Sequence, residues 1–179
     1  NTPLPARLIL ASSSTYRQQM LQRLHLPFEV ISPDVDESPT PNETPAVLAR
    51  RLALGKAQAV ASRLTATDAV VIGADQVLEL DGQPVGKPGH LSGARSQLKA
   101  LSGQCVIFHS AVSVISPAGE QVSVVPCHAT FRTLDNPQIE RYLALETPFD
   151  TAGSAKAEGL GISLLARLQS DDPTAIIGL

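Results

Sequence analysis

The sequence of 179 residues predicts an α/β domain built on a mixed β-sheet. Short apolar segments of strand length alternate with segments whose apolar residues recur at helical spacing, as in a sheet covered by helices. Two turn signals, Asp81-Gly82 and Pro117-Ala118-Gly119, separate β-like segments and predict antiparallel hairpins. The length suits about one domain with its own core. We therefore expect a single domain over residues 1–179.

The first half of the chain alternates strands and helices. Its predicted elements are a strand at 7–11, a helix through Met20, Leu21 and Leu24 closed by His25-Leu26-Pro27, a strand at 28–31, an exposed loop at 32–45, a helix from Pro45 to about Leu64, and a strand at 69–74. Proline at the first helical turn favours the helix start at Pro45.

The second half contains two helices and a long hairpin. Its predicted elements are a helix over 91–101 ended by Gly103, strands at 105–115 and 121–131, a helix from Asp135 and Pro137 to near Leu145, a small-residue loop at 150–161, and a strand at 162–168.

Composition excludes several classes of function. The formal net charge is −3 and aromatic residues make up 3% of the chain, so neither a positive field nor a set of stacking platforms favours nucleic acid. No apolar stretch reaches the length of a membrane span. Cys105 and Cys127 form neither a disulfide framework nor a CxxC zinc motif, so we expect a reducing cytoplasm.

The first candidate site is the junction from the first strand to the first helix. Ser12, Ser13 and Ser14 precede the helix, where free backbone N–H groups and the helix dipole stabilise an anion. Arg17 in the first turn opposes the dipole, and a bound phosphate would reverse the sign of that interaction. The alternative is a plain serine N-cap with a solvated arginine.

Lys56 is the second candidate. It follows Leu48 and Leu52 and precedes Val60 at intervals of four residues, so it lies on the apolar stripe of its helix. A lysine on that stripe either extends its ammonium past the edge of the sheet or reaches an anion.

Two carboxylate segments and a second lysine complete the candidates. Asp75 follows the apolar strand 69–74, where α/β folds keep their clefts, and can accept a proton or hold a divalent cation. The acidic loop 34–37 offers oxygen ligands that suit Mg²⁺ or Mn²⁺. Lys87, in Gly86-Lys87-Pro88, can hold a phosphate. The alternatives are a carboxylate capping a turn and a solvated charge run.

Together these residues predict metal-assisted hydrolysis of a polyphosphate. Cations neutralise the phosphates, a metal polarises them and a carboxylate activates water. The sequence has no Walker A, G-x-G-x-x-G or G-x-S-x-G motif, and the spacing of its four histidines fits structural roles.

The order of these motifs resembles the Maf family of nucleoside triphosphate pyrophosphatases over nearly the whole chain. The matching segments are Leu8-Ile9-Leu10-Ala11-Ser12-Ser13-Ser14 with Arg17, Val35-Asp36-Glu37, Lys56-Ala57, Gly73-Ala74-Asp75, Gly86-Lys87-Pro88 and Leu101-Ser102-Gly103. The resemblance implies an elongated mixed sheet flanked by helices, a cleft between two lobes and often a homodimer. It also implies cleavage of the α–β phosphoanhydride with Mg²⁺ or Mn²⁺, and one more helix after Leu179.

The resemblance also assigns roles to residues. Asp75 becomes the proton acceptor and, with Glu37, a metal ligand. The triphosphate would be held by Ser12, Arg17, Lys56 and Lys87.

Within the family, the chain is similar to the YceF-like branch associated with 7-methyl-GTP. This similarity rests on Tyr16, Gln76 and Glu158. Methylation at N7 makes guanine cationic, so an aromatic ring can stack on it and a carboxylate can accept from its N1–H and N2–H edge. The alternatives are hydrolysis of canonical dTTP or UTP, and a non-catalytic nucleotide-binding regulator of cell division.

Overall fold

The computed structural model describes residues 7–65 and 68–179, and the fold consists of helices packed against a mixed sheet. The elements, in chain order, are β1 (Arg7–Ala11), α1 (Thr15–Gln22), β2 (Glu29–Ile31), α2 (Pro45–Ala61), β3 (Ala69–Leu80), β4 (Gln83–Val85), α3 (Leu91–Leu101), β5 (Cys105–Ser116), β6 (Gly119–Phe131), α4 (Asn136–Glu146) and β7 (Leu165–Ser170). Short 3₁₀ turns occur at Ala152–Ser154, Leu160–Leu164 and Ala175–Ile177.

Within the described residues, seven strands form one sheet. Six of them follow the order β2-β1-β3-β5-β6-β7, and β4 pairs with β3 off this path. Strand β1 runs parallel to both β2 and β3, whereas the pairs β3–β4 and β6–β7 are antiparallel. The mixed sheet and both hairpins predicted from the turn signals are confirmed.

The chain divides into two compact units, each with an apolar core. Among the described residues, the first unit contains 7–65, 68–75, 110–124 and 178–179, and its core includes Ile9, Val60 and Val71. The second unit contains residues 76–109 and 125–177, and its core includes Phe108 and Phe131. Strands β3, β5 and β6 each contribute residues to both units.

Local capping fixes where two of the helices begin. The Thr44 hydroxyl accepts the N–H of Val47, and Pro45 opens α2 as predicted. At α4, Asp135 and Gln138 form a reciprocal capping box. These caps satisfy N–H groups that the first turn of a helix cannot bond internally.

Two predicted boundaries are wrong. Helix α1 ends at Gln22, and Leu24, which the sequence analysis included in the helix, is 60% exposed in the turn that follows. The last strand runs over Leu165–Ser170 rather than 162–168, because residues 160–164 form a 3₁₀ turn. A short apolar run fixes neither the period nor the boundary of an element.

Strand β3 is longer than predicted, and this corrects the position of Asp75. The residue lies inside β3 rather than after its end. The neighbouring strand β1 stops at the pair Ala11–Gly73, so Asp75 lies just beyond the carboxyl end of the parallel pairing. The position of Asp75 is therefore set by where β1 ends, since β3 itself continues to Leu80.

In the part of the chain that the structure describes, no helix is both long enough and apolar enough to cross a membrane.

Candidate active site

Helix α2 packs on β3 at unusually short range, and Gly73 makes this possible. A Cβ atom added at Gly73 would lie 2.2 Å from the Ala53 carbonyl oxygen and 2.8 Å from the Ala57 nitrogen, both in α2. The buried Ser113 hydroxyl donates to the same Ala53 carbonyl at 2.8 Å. The missing side chain therefore lets the middle of α2 rest directly on the strand that carries Asp75.

Lys56 uses this proximity to reach two carboxylates. Its Nζ lies 2.6 Å from Asp75 Oδ1 and 2.7 Å from Glu37 Oε1. The Lys56 side chain is 6% exposed, that of Asp75 10%, and that of Glu37 49%. The prediction that Lys56 lies on the inward stripe of its helix is confirmed, and its ammonium joins a buried carboxylate to an exposed one.

The surroundings of Asp75 favour its role as a proton acceptor, because the side chain is buried. Burial raises its pKa above the ordinary value, and the positive charges of Lys56 and Arg17 partly oppose that rise. A carboxylate with a raised pKa is a stronger base than one in water. A carboxylate whose pKa is shifted by burial and by a specific charged partner is a candidate for catalysis.

The serine segment before α1 is held by its own hydrogen bonds, and Arg17 in the first turn of the helix is half-buried. Ser12 is buried, and its hydroxyl accepts the N–H of Ser14 at 3.1 Å. Ser14 caps α1 by accepting the N–H of Arg17 at 3.4 Å, so the predicted N-cap is present. Arg17 Nε donates to the Gly178 carbonyl at 3.0 Å, and burial lowers the pKa of its guanidinium. Of the alternative, a plain serine N-cap with a solvated arginine, the cap is confirmed and the solvated arginine is wrong.

The four charged side chains of the candidate site in the first unit balance one another. Arg17 and Lys56 carry two positive charges, and Glu37 and Asp75 carry two negative ones. Since this set is neutral, it does not by itself offset the charge of a triphosphate.

Hydrogen bonds from Arg51 in α2 hold the loop that carries Glu37. Arg51 Nε contacts Glu43 Oε1 at 2.6 Å, and Arg51 Nη2 donates to the Ser38 carbonyl at 2.9 Å. The hydrogen bond from Arg51 lowers the pKa of Glu43 to about 2. Because Ser38 directly follows Glu37, this pair holds the acidic loop against the helix that carries Lys56.

In the second unit, Lys87 is exposed on a turn that packs against the start of α3. A Cβ added at Gly93 would lie 2.5 Å from the Pro88 carbonyl, so the turn and the helix touch through backbone. His90 Nδ1 accepts the N–H of Gly93 at 3.0 Å and caps α3, as expected of a structural histidine. This packing fixes the turn that carries Lys87.

Glu158 lies at the exposed tip of a loop whose two ends are anchored on one residue. Lys156 Nζ donates to the Glu146 carbonyl at 3.0 Å, and the Leu160 N–H donates to Glu146 Oε1 at 2.7 Å. Glu158, between these two anchors, faces solvent. The loop therefore presents one carboxylate on a short, well-held span.

The other two residues predicted to set specificity have different surroundings. Tyr16 is half-buried in the first turn of α1. Gln76 Nε2 donates to the carbonyls of Ala175 and Ile176 at 3.2 and 2.9 Å. Its amide thus holds the C-terminal 3₁₀ turn, a role that the sequence analysis did not foresee.

Two carboxylates of the first unit are oxygen donors of the kind that hard divalent cations prefer. Among residues 7–65 and 68–179, no group of three or more His, Cys, Asp or Glu side chains is placed to hold a metal. Glu37 and Asp75 nevertheless offer carboxylate oxygens on either side of Lys56. Magnesium in enzymes is commonly bound by one or two carboxylates together with substrate phosphates.

Comparison with known proteins shows the family. A family model described as "Maf-like protein" matches residues 7–179, and the chain belongs to this family. It is 54% identical over 180 residues to a 7-methyl-GTP pyrophosphatase of Polaromonas sp. (strain JS666 / ATCC BAA-500), covering 99% of this chain and 81% of that protein.

Two further relatives carry the same name. The 7-methyl-GTP pyrophosphatase of Bordetella avium (strain 197N) is 58% identical over 173 residues, covering 97% of this chain and 87% of that protein. That of Bordetella pertussis (strain Tohama I / ATCC BAA-589 / NCTC 13251) is 55% identical over 176 residues, covering 98% and 87%. The family expected from the order of motifs is confirmed.

The structure also shows functional contacts that sequence reasoning missed. These are the Gly178 carbonyl that receives Arg17, the Ser113 hydroxyl behind Gly73, and the Arg51–Glu43 pair that ties down the acidic loop. Only Gly73 gave a signal, because a glycine inside a buried strand marks close approach of another backbone.

Proposed function

We propose that this chain is a metal-dependent nucleoside triphosphate pyrophosphatase that hydrolyses 7-methyl-GTP to the monophosphate and pyrophosphate. The observation that carries the proposal is the buried Asp75 carboxylate, held by Lys56 at 2.6 Å with Glu37 on the same ammonium. The names and identities of the relatives support the substrate class. We also propose that the activity is cytoplasmic, where nucleoside triphosphates are available.

Asp75 is the proposed general base. A water molecule loses its proton to Asp75 as its oxygen attacks phosphorus, and the α–β phosphoanhydride breaks to release pyrophosphate. The raised pKa of Asp75 makes it a better proton acceptor at neutral pH than an ordinary aspartate. Lys56 keeps the carboxylate oriented and ionised, because its ammonium favours the charged form.

The phosphates need more positive charge than the four charged side chains of the first unit's candidate site supply. Arg17 and Lys56 are balanced there by Glu37 and Asp75, so a divalent cation and Lys87 are proposed to neutralise the triphosphate. Glu37 and Asp75 would hold the cation together with phosphate oxygens. When bound, such a cation polarises the phosphoryl group and stabilises the charge on the leaving pyrophosphate.

Base recognition is proposed for Glu158 and Tyr16. The Glu158 carboxylate is exposed on a loop anchored at both ends, so it can accept two hydrogen bonds from the guanine edge at little entropic cost. The Tyr16 ring would stack on the cationic methylated base. Ser12, which organises the turn before α1, would position Arg17 for the triphosphate.

The decisive experiment is a substrate panel. Pyrophosphate release is measured from 7-methyl-GTP, GTP, dTTP and UTP with Mg²⁺ or Mn²⁺, for the wild type and for Asp75→Asn. The variant should be at least about 100-fold slower, the lower range for losing a general base. Asp68→Asn, an exposed change before β3, is the matched control.

The pH profile tests the role of Asp75 separately. The wild-type kcat/KM should fall as pH drops through the Asp75 pKa, because a protonated Asp75 cannot accept a proton from water. Asp75→Asn should lack this acid limb. A near-normal rate in Asp75→Asn removes Asp75 from the mechanism, and binding without turnover in the wild type makes the chain a nucleotide-binding regulator.

Glu158→Gln tests the base specificity. The change keeps the shape but removes the charge, so kcat/KM for 7-methyl-GTP should fall about tenfold or more while that for GTP changes less. Asp171→Asn, an exposed carboxylate in the same unit, serves as the control. Equal losses on every nucleotide mean that Glu158 does not contact the base, and faster turnover of dTTP or UTP than of 7-methyl-GTP in the wild type favours the pyrimidine alternative.

A further inference from the structure

One glutamine in α3 bonds to two loops that are distant in sequence. Gln97 Nε2 donates to the Gly86 carbonyl at 2.6 Å, in the turn that carries Lys87. Its Oε1 accepts the hydroxyl proton of Ser154 at 3.0 Å, in the loop that leads to Glu158. Both ends of one amide are therefore used, one for each loop.

Ser154 is held in a conformation that a serine rarely adopts. Its φ is 58°, in the left-handed region, although a side chain there is unfavourable. Its side chain is fully buried, its N–H bonds to the Thr151 carbonyl at 3.0 Å, and its carbonyl receives the Tyr142 hydroxyl at 2.7 Å. Strained backbone persists only where the surroundings specify it from several sides, and such residues cluster at functional sites.

The hydroxyl of Tyr142 extends this restraint towards Glu158. Besides donating to the Ser154 carbonyl, it accepts the N–H of Lys156 at 3.1 Å. The backbone from 154 to 156 is thereby fixed on the buried Tyr142 side chain. Any displacement of Ser154 is therefore transmitted to the residues that place Glu158.

A second bond joins the same two loops without Gln97. The N–H of Gly89 donates to the Phe149 carbonyl at 2.9 Å. Gln97 thus reinforces this backbone contact, and the Gly89 amide reports directly on whether the two loops stay together.

We propose that Gln97 is a positioning residue that couples the Lys87 turn to the loop carrying Glu158. Lys87 and Glu158 owe their roles in substrate binding to the proposed function, on which the inference rests. Through Gln97 the group that holds the triphosphate and the group that reads the base are set at a fixed spacing before substrate arrives. Such pre-organisation increases affinity and selectivity without touching the reacting atoms.

The test combines kinetics with amide hydrogen exchange on the full chain. Gln97→Ala should raise the KM for 7-methyl-GTP about tenfold, lower its kcat/KM relative to GTP, and change kcat less than about twofold. Exchange at Gly89 and Lys156 should accelerate about tenfold in the absence of any nucleotide. The amides of α4 should keep their rates, since a general loss of stability would accelerate those as well.

Two further variants separate the bonds of Gln97. Gln97→Glu can still accept from Ser154 but places a carboxylate against the Gly86 carbonyl, so exchange should accelerate at Gly89 more than at Lys156. Ser154→Ala loses only the other bond and should show the reverse order. Ser96→Ala, an exposed change on the same helix, should match the wild type in every measurement.

The outcomes discriminate between the two proposals. Unchanged exchange at Gly89 and Lys156 in Gln97→Ala overturns the coupling, and so does faster exchange with an unaltered KM and selectivity. If the wild type hydrolyses none of the nucleotides but exchange accelerates as expected, the coupling of the loops is supported and the proposed function fails.

Discussion

Replacing Lys56 by methionine tests the ion pair at the centre of the site. Methionine keeps the apolar stem of the lysine but removes the ammonium that faces Asp75 and Glu37. Glu37 is about half exposed and can return to water, whereas the Asp75 side chain is only 10% exposed and cannot. The change therefore leaves the buried Asp75 carboxylate without its ion-pair partner.

The size of the effect follows from that burial. Removing one partner of a buried ion pair costs about 3–5 kcal/mol. In a chain of this length a loss of 1 kcal/mol lowers Tm by about 2–4 °C, so Lys56→Met should melt about 6–20 °C below the wild type. Lys99→Met, an exposed change in the last turn of α3, should alter stability by no more than about 0.5 kcal/mol.

The pH dependence has a definite sign. Without Lys56 the folded-state pKa of Asp75 rises further above its unfolded value, so protonation favours the folded state. The loss of stability in Lys56→Met relative to the wild type should therefore be smaller at pH 5 than at pH 8. It should grow as pH rises through the folded-state pKa.

Thermal and urea unfolding at both pH values provide the assay. The double variant Lys56→Met/Asp75→Asn removes both members of the pair, so most of the lost stability should return. Two results would refute the reasoning: a Lys56→Met variant as stable as Lys99→Met, or losses from the two single changes that simply add in the double variant.

Two further predictions concern the packing around the site. Gly73→Ala places a Cβ 2.2 Å from the Ala53 carbonyl, so it should destabilise the fold by about 1–3 kcal/mol and reduce activity by moving α2 away from β3. Gly55→Ala, in the middle of α2, places a Cβ that meets nothing within 4 Å, so it should stabilise the fold by about 0.5–1 kcal/mol. Equal effects of Gly73→Ala and Gly55→Ala on urea unfolding would contradict the close-packing explanation. Glu43→Gln should lower Tm at pH 7. Its difference in Tm from the wild type should shrink as pH falls below 4.5 towards about 2, because the Glu43 carboxylate, whose pKa is depressed, stabilises the fold only while it is ionised. A deficit that does not change between pH 6 and pH 3.5 would show that the Arg51 pair contributes nothing.

Much of the fold could be predicted because local patterns specify it. The limits of the long hairpin strands and of α3 followed from alternation, helical spacing and turn residues. The segment 160–164 could not be predicted in this way. Its apolar residues fit a strand as well as a 3₁₀ turn, and only its surroundings choose between them.

The sequence by itself determined the chemical groups of the candidate site and the face on which Lys56 lies. Periodicity is a property of a single element, and an inward-facing lysine in α2 needs no knowledge of its neighbours. Ordered motifs were also enough to indicate the family, which the comparisons confirmed.

Only the tertiary structure decided which groups meet. Lys56 and Asp75 are 19 residues apart, and Gln97 and Ser154 are 57 apart. No local pattern states that β1 stops at the level of Gly73, or that a serine with a left-handed backbone donates its hydroxyl to a glutamine. The physical reason is that a repeating pattern specifies which side of an element is buried, whereas the partner on that side is set by the packing of the whole chain.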